Sequence, residues 1–283
     1  MKGAAAPPSR PVKARPGRQE VLGRHLEVLD LVPGEEEASD LPTLVFLHEG
    51  LGAVSFWRDF PARVVAATGC PALVYSRPGY GASDPAPQPR GADYLEQEAQ
   101  TVLPALLAAR GIRRPLLIGH SDGASIALIY GSAFPDDLTG AVVMAPHLWV
   151  EPAALAGIRQ AGLLWRETDW PARLARHHGD PERVFREWHD TWLSPAFRYW
   201  DIRERLGAFR APLLAMQGEG DEYATPAQVR ALPGLVRGPV QVVEIPCCGH
   251  TPYRDQPEPV LARVADFVNS LKGAEESWGT GAA

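Results

Sequence analysis

Residues 116–127, LLIGHSDGASIA, pass from an apolar strand-forming run through Gly119-His120-Ser121-Asp122-Gly123 into a helix-forming run with no linker between them. Such a junction forces Ser121 into strained backbone geometry. Only residues as small as Gly119 and Gly123 let strand and helix close around it. The hydroxyl is then held at a helix N-terminus, where negative charge is favoured. One such junction already demands a strand buried in a sheet and a helix lying on that sheet.

The rest of the chain repeats that unit. Apolar runs at Thr43–His48, Pro71–Ser76, Pro115–His120, Ala141–Ala145, Leu213–Gln217 and Val240–Ile245 alternate with helical patterns at Phe56–Ala67, Tyr94–Ala109, Ser121–Phe134, Pro226–Leu232 and Pro257–Leu271. The later runs are almost uniformly apolar, as are parallel strands covered on both faces. Val21–Val32 reads as a hairpin. The expected class is α/β, with a mostly parallel central sheet flanked by helices. From about His147 to Arg210 the alternation stops and no strand is expected, while Trp149, Trp165, Trp170, Trp188, Trp192 and Trp200 crowd together. Val184, Trp188 and Trp192 keep helical spacing. The stretch 147–210 therefore reads as a helical cap inserted over the sheet's carboxyl edge. Most of its tryptophans fix it to the core, and one or two line a pocket. The core is then 21–146 plus 211–272, preceded by a disordered leader at 1–20 and followed by a flexible tail at 273–283. The leader, MKGAAAPPSRPVKARPGRQE, has prolines and positive charge but neither the apolar centre of a secretory signal nor a periodic apolar face.

Composition excludes several classes. With 45% apolar and 22% charged residues over 283 positions, the chain is globular rather than disordered or a coiled coil. A net charge of −6 argues against general nucleic-acid binding. No run reaches the roughly 18 apolar residues a membrane helix requires. Cys70, Cys247 and Cys248 make neither a disulfide framework nor a C-x-x-C metal site. The expectation is a cytoplasmic protein with no nucleic-acid or membrane partner and no metal or organic cofactor. The oligomeric state stays open.

A nucleophilic Ser121 needs a base. His250 follows Gly249 in a loop at the carboxyl end of a strand, where open parallel sheets collect their sites. His25, His120, His177, His178 and His189 are weaker candidates, and His120 should point away from Ser121. The base needs an orienting acid. Asp221, in Gly218-Glu219-Gly220-Asp221-Glu222 after another strand, gives the chain order Ser, Asp, His. Glu219 and Glu222 are neighbouring rivals and Glu151 a distant one. The loop His48-Glu49-Gly50-Leu51-Gly52 closes a further strand, so the amide of Gly50, with Leu51 second, would join that of Asp122 in holding an oxyanion. Glu49 and Asp122 bring two carboxylates to that edge, and Arg77, after a third strand, is expected to neutralise at least one of them.

With these residues in view, the chain resembles enzymes of α/β-hydrolase fold, in the branch of proline iminopeptidases, haloperoxidases and dehalogenase-like proteins. The likeness spans about Thr43 to Leu271. It rests on His48-Glu49-Gly50, Ser76-Arg77-Pro78-Gly79-Tyr80-Gly81-Ala82-Ser83, Gly119 to Gly123, Gly218 to Asp221 and Gly249-His250, with Trp57 and Arg58 at matching distance from His48. Members of that branch carry His-Gly where this chain has His48-Glu49. Ser121 at the nucleophile position disfavours the members that use an aspartate there.

The expected activity is hydrolysis of an ester, lactone or related acyl compound through Ser121, His250 and Asp221 and an acyl-enzyme intermediate. The same triad could cleave a carbon–carbon bond in a ring-cleavage product. It could also cleave an N-terminal proline peptide, which calls for acids gripping an amine, such as Glu167, Asp169, Glu182 or Glu187 of the insertion. A non-catalytic small-molecule receptor is the reading from another class, and an intact Ser121, Asp221 and His250 speaks against it.

Overall fold

The computed structural model describes residues 11–34, 41–86 and 89–278. Strands β1 (Val12–Val21), β2 (Arg24–Pro33), β3 (Leu44–Leu47), β4 (Ala72–Tyr75), β5 (Leu116–His120), β6 (Gly140–Met144), β7 (Leu213–Gly218) and β8 (Val240–Ile245) form one sheet in the order β1-β2-β4-β3-β5-β6-β7-β8. Pairing is parallel from β4 through β8 and antiparallel where β1 meets β2 and β2 meets β4. The sheet is thus mixed and mostly parallel, and every apolar run from Thr43 onward has become a strand.

Period-two alternation divides the core. Val45, Leu47, Leu73, Tyr75, Leu117, Val143 and Ala215 face α2 (Tyr94–Gln97), α3 (Leu103–Ala109) and α4 (Asp122–Ala133). Leu44, Phe46, Val74, Ile118, Val142, Met144, Leu214 and Met216 pack on the other face against α1 (Phe60–Thr68) and the C-terminal α10 (Pro257–Trp278). Fully buried strands of this kind need no polar face, which is why these runs read as unbroken apolar stretches. Between β6 and β7 the chain leaves the sheet to form α5 (Pro152–Glu167), α6 (Trp170–Leu174) and α7 (Pro181–Leu193), then a 3₁₀ turn at Arg203–Ala208. This is the inserted helical cap. After β7 come α8 (Ala227–Leu235) and, beyond β8, the short α9 (Pro252–Asp255).

Four expectations are corrected. The leader supposed to run to Glu20 is instead strand β1 from Val12 onward, paired residue by residue with β2 from Val12–Pro33 to Val21–Arg24. Its side chains are mostly exposed, so the backbone ladder holds it and no apolar stripe marks it in the sequence. Pro16 is tolerated because β1 is an edge strand. The hairpin is therefore Val12–Pro33, longer than Val21–Val32, and residues 1–10 lie outside the described residues. The tail supposed to start at 273 continues α10 as far as Trp278, with 279–283 outside the described residues. The single helix expected over Tyr94–Ala109 is split by a π-helical turn at Glu98–Val102. Pro104, just beyond it, has no N–H to return to the preceding turn. Among the described residues, no helix is long and apolar enough to cross a membrane.

Candidate active site

The site is built at the carboxyl edge of the sheet. Strand β5 ends at His120 and α4 begins at Asp122, leaving Ser121 alone at the corner with φ 53° and ψ −116°. That is a positive-φ conformation rarely held by a side-chain-bearing residue. Its amide is tied to the Met144 carbonyl of β6 at 2.9 Å. A Cβ at Gly123 would run into the Leu47 carbonyl, and one at Gly119 into the backbone of Gly123. Both glycines are thus required by close packing, as the motif implied.

His250 reaches Ser121 from the loop after β8. Its Nε2 lies 2.9 Å from Ser121 Oγ, placed to accept the hydroxyl hydrogen, while Nδ1 lies 2.8 and 2.9 Å from the two carboxylate oxygens of Asp221. Asp221 is fixed in turn by the amides of Tyr223 (2.8 Å) and Ala224 (3.1 Å) and by the Gln217 side-chain amide. Burial would lower the His250 pKa and raise that of Asp221. Each partner outweighs this for the other, so His250 is held above the usual histidine value and Asp221 below the usual carboxylate value. The rival acids are occupied elsewhere. Glu222 accepts from the His250 backbone amide (3.2 Å), Glu151 holds Thr225, and Glu219 is exposed.

The neighbouring loop is locked from beneath. His48 is buried, donates from Nδ1 to the Glu49 carbonyl (2.7 Å) and accepts at Nε2 from the Arg77 amide (3.1 Å). Arg77, itself buried, donates to the Glu49 carbonyl at 2.9 Å and pairs with Asp122 Oδ2 at 3.6 Å. The expected neutralisation therefore falls on Asp122, which also accepts from Tyr94 Oη at 2.7 Å. The Glu49 carboxylate goes instead to His120, 3.5 Å from its Nδ1, and His120 Nε2 donates to the His250 carbonyl at 2.7 Å. The ring nitrogens of His120 are thus turned to Glu49 and to the His250 carbonyl, and the ring braces the loop that carries His250. Burial pushes the Glu49 carboxyl up and His120 more than offsets that, leaving it below its ordinary value.

Gly50 and Leu51 line a pocket of about 270 Å³ together with Ser121 and His250. A side chain at Gly50 would collide with the Trp188 ring, and its Cβ would sit 3.3 Å from Asp122 Oδ2. The cap supplies the roof through Ala154, Ile158, Trp170, Leu174, Trp188 and Trp192. Three tryptophans line the pocket, and Trp165 and Trp200 are buried in the core. None of Glu167, Asp169, Glu182 and Glu187 lines it. Glu182 pairs with Arg186 and Glu187 with Arg183. The cap is stapled down by His178, which accepts from the Gly81 amide (2.9 Å) and donates to the Leu51 carbonyl (3.0 Å). Among the described residues, no three His, Cys, Asp or Glu side chains gather as a metal-binding group.

Several residues of the site carried no sequence signal. Tyr94, Gln217 and Tyr223 act through contacts that only the fold creates, the Tyr223 ring lying 4.8 Å from that of His250. His147 also lines the pocket, 6.0 Å between ring centroids from His250. Its place just after the carboxyl end of β6 was the one clue, the same that marks His250.

Comparison with known proteins agrees with this architecture. The model of the alpha/beta hydrolase family matches residues 44–263. A 2-succinyl-6-hydroxy-2,4-cyclohexadiene-1-carboxylate synthase from Klebsiella pneumoniae is 27% identical over 267 residues, covering 81% of this chain and 94% of the relative. A 2-hydroxy-6-oxononadienedioate/2-hydroxy-6-oxononatrienedioate hydrolase from Pseudomonas putida is 25% identical over 282 residues, covering 89% and 94%. Among solved structures, the 2-hydroxy-6-oxo-6-phenylhexa-2,4-dienoate hydrolase from Rhodococcus sp. strain RHA1 superposes with a TM-score of 0.75 at 14% identity, over 90% of this chain and 99% of that one.

Proposed function

The chain belongs to the alpha/beta hydrolase family, and from that premise we propose that it is a serine hydrolase acting on a carboxylic ester, lactone or related acyl bond. The observation that carries this reading is the continuous hydrogen-bonded run from Ser121 Oγ through His250 to Asp221, with Ser121 held at positive φ. In the proposed reaction Ser121 Oγ attacks the acyl carbonyl as His250 Nε2 takes its proton. Asp221 keeps the remaining proton on Nδ1 and stabilises the imidazolium. The oxygen that becomes negative is held by the amides of Asp122 and Gly50, close to the N-terminus of α4. His250 then returns the proton to the leaving group. Water, activated by the same imidazole, releases the acid and restores Ser121.

The decisive experiment is stopped-flow hydrolysis of p-nitrophenyl acetate combined with a fluorophosphonate label. A burst near one equivalent of p-nitrophenol, with the label on Ser121, is the expected result. Steady release without a burst, or a label on Ser125, overturns the assignment.

A second reading, hydrolysis of a carbon–carbon bond next to a ketone, is favoured by the substrate for which the Pseudomonas putida relative is named, an oxo dienedioate. A panel of ester, lactone, prolyl-amide and dienone substrates separates the two. A kcat/KM for dienones far above that for every ester selects the second.

A further inference from the structure

His147 lines the pocket beside the proposed triad, which makes no use of its ring nitrogens. Its backbone is fixed from both sides by Ser125, whose hydroxyl accepts from the His147 amide (3.1 Å) and donates to its carbonyl (2.8 Å). The ring packs edge-on against Trp192 at 4.8 Å between centroids. The residue is only 3% exposed. Nδ1 is buried and has no hydrogen-bond partner among the described residues. A buried polar atom left unpaired is costly, and one beside a substrate pocket recovers that cost when a ligand atom pairs it.

Burial, and then the nearby His250, push the His147 pKa down to about 3, so the ring is neutral wherever His250 can act as a base. A neutral imidazole offers one N–H and one lone pair. A ketone or ether oxygen can meet only the N–H, whereas a hydroxyl meets either nitrogen. The ring packs on Trp192, which is 2% exposed, and lies 6.0 Å between centroids from His250 in the pocket that also holds Ser121. A substrate hydroxyl meeting this ring would therefore lie near the carbonyl that Ser121 attacks.

We propose that His147 is a specificity-determining residue that hydrogen-bonds a hydroxyl on the acyl portion of the substrate, near the scissile carbonyl, so that the preferred substrates are hydroxyacyl compounds. This inference rests on Ser121 being the nucleophile.

The test compares p-nitrophenyl butyrate with the p-nitrophenyl esters of 2- and 3-hydroxybutyrate, each enantiomer separately. At least one hydroxy ester is expected to exceed butyrate in kcat/KM by about tenfold, the worth of one buried hydrogen bond. His147→Phe, similar in size but apolar, should bring that ratio to about one. His147→Gln, which keeps a donor and an acceptor, should retain part of it even if the Phe variant does not fold. A p-nitrophenol burst from wild type with no preference among the esters overturns this inference alone. So does a preference that survives in either His147→Phe or, where that variant is unfolded, undiminished in His147→Ala. No burst from any ester overturns the hydrolase reading and this inference with it.

Discussion

Ser121 holds φ 53° because Met144, Gly119 and Gly123 leave it no other path, and the chemistry proposed for it can be tested one side chain at a time. Ser121→Ala and His250→Ala should each lower kcat by on the order of 10⁶, since such residues act as a unit. Asp221→Asn should cost on the order of 10⁴ by favouring the wrong imidazole tautomer, while Glu219→Gln and Glu151→Gln stay near wild type in kcat/KM. Because Asp221 raises the His250 pKa against the opposing effect of burial, kcat/KM should fall on the acid side with a midpoint above 6.5. A rate that is flat from pH 5 to 9 contradicts that role. The Arg77–Asp122 pair makes a sharper claim. Both residues are 1% exposed, so Arg77→Ala strands a buried carboxylate and should destabilise the fold by roughly 3–5 kcal/mol. Asp122→Asn in the same chain should recover part of that loss, whereas Glu49→Gln should not, because Arg77 meets Glu49 only at its carbonyl. Denaturant titration of the two double-mutant cycles decides the matter, and strict additivity in both would retire the pair.

Among the elements, β1 and the cap behave in opposite ways. β1 adds little apolar burial but covers the edge of β2 through a ladder from Val12–Pro33 to Val21–Arg24. Deleting residues 2–18 should therefore uncover that edge and lower the melting temperature. It should also promote association, visible by light scattering, because an exposed edge templates pairing with other chains. The kcat/KM of the remaining monomer should hold, since no residue of β1 lines the catalytic pocket. The cap depends on packing and on His178. His178→Ala leaves the Gly81 amide and the Leu51 carbonyl without their partner, an expected loss of about 1–3 kcal/mol. Limited proteolysis should then cut first within 147–210. An unchanged cleavage pattern and melting temperature would show that the staple is dispensable.

For the whole molecule, buried neutral histidines set the pH response. Burial, then Arg77, lowers the pKa of His48; burial, then His250, lowers that of His147; burial also lowers that of His178. Below about pH 6.5 the unfolded chain binds protons that these three sites refuse, so stability is full above that value and is lost as pH falls. The slope is about 1.4 kcal/mol per pH unit for each site that stays neutral. His250 works in the opposite sense, its contribution being present at low pH and lost as pH rises through its raised value. Three sites outweigh one. The melting temperature should drop steadily from pH 6.5 to 5, and a flat profile over that interval would contradict the linkage.

What the sequence determined by itself is what local chemistry encodes. Runs buried on both faces must be apolar along their whole length, so β3 to β7 were readable within a residue or two of their ends, and the half-buried edge strand β8 from its β-branched run. A strand that meets a helix at one residue needs glycines on either side, so the corner at Ser121 was readable too. The order of Asp221 and His250 along the chain, each after a strand's carboxyl end, followed from the rule that parallel sheets gather such loops. Only the tertiary structure decided the remainder. β1 was invisible because backbone pairing at an edge asks for no apolar pattern. The turn in α10 that carries it past 273 to Trp278 leaves no stronger mark. The pairing of His250 Nδ1 with Asp221, the turning of Glu49 toward His120, the hydrogen-bonded run from Trp192 through Tyr94 to Asp122, and the place of His147 in the pocket all join residues far apart in the chain. Such contacts depend on distances that are set only once both faces of the sheet are packed.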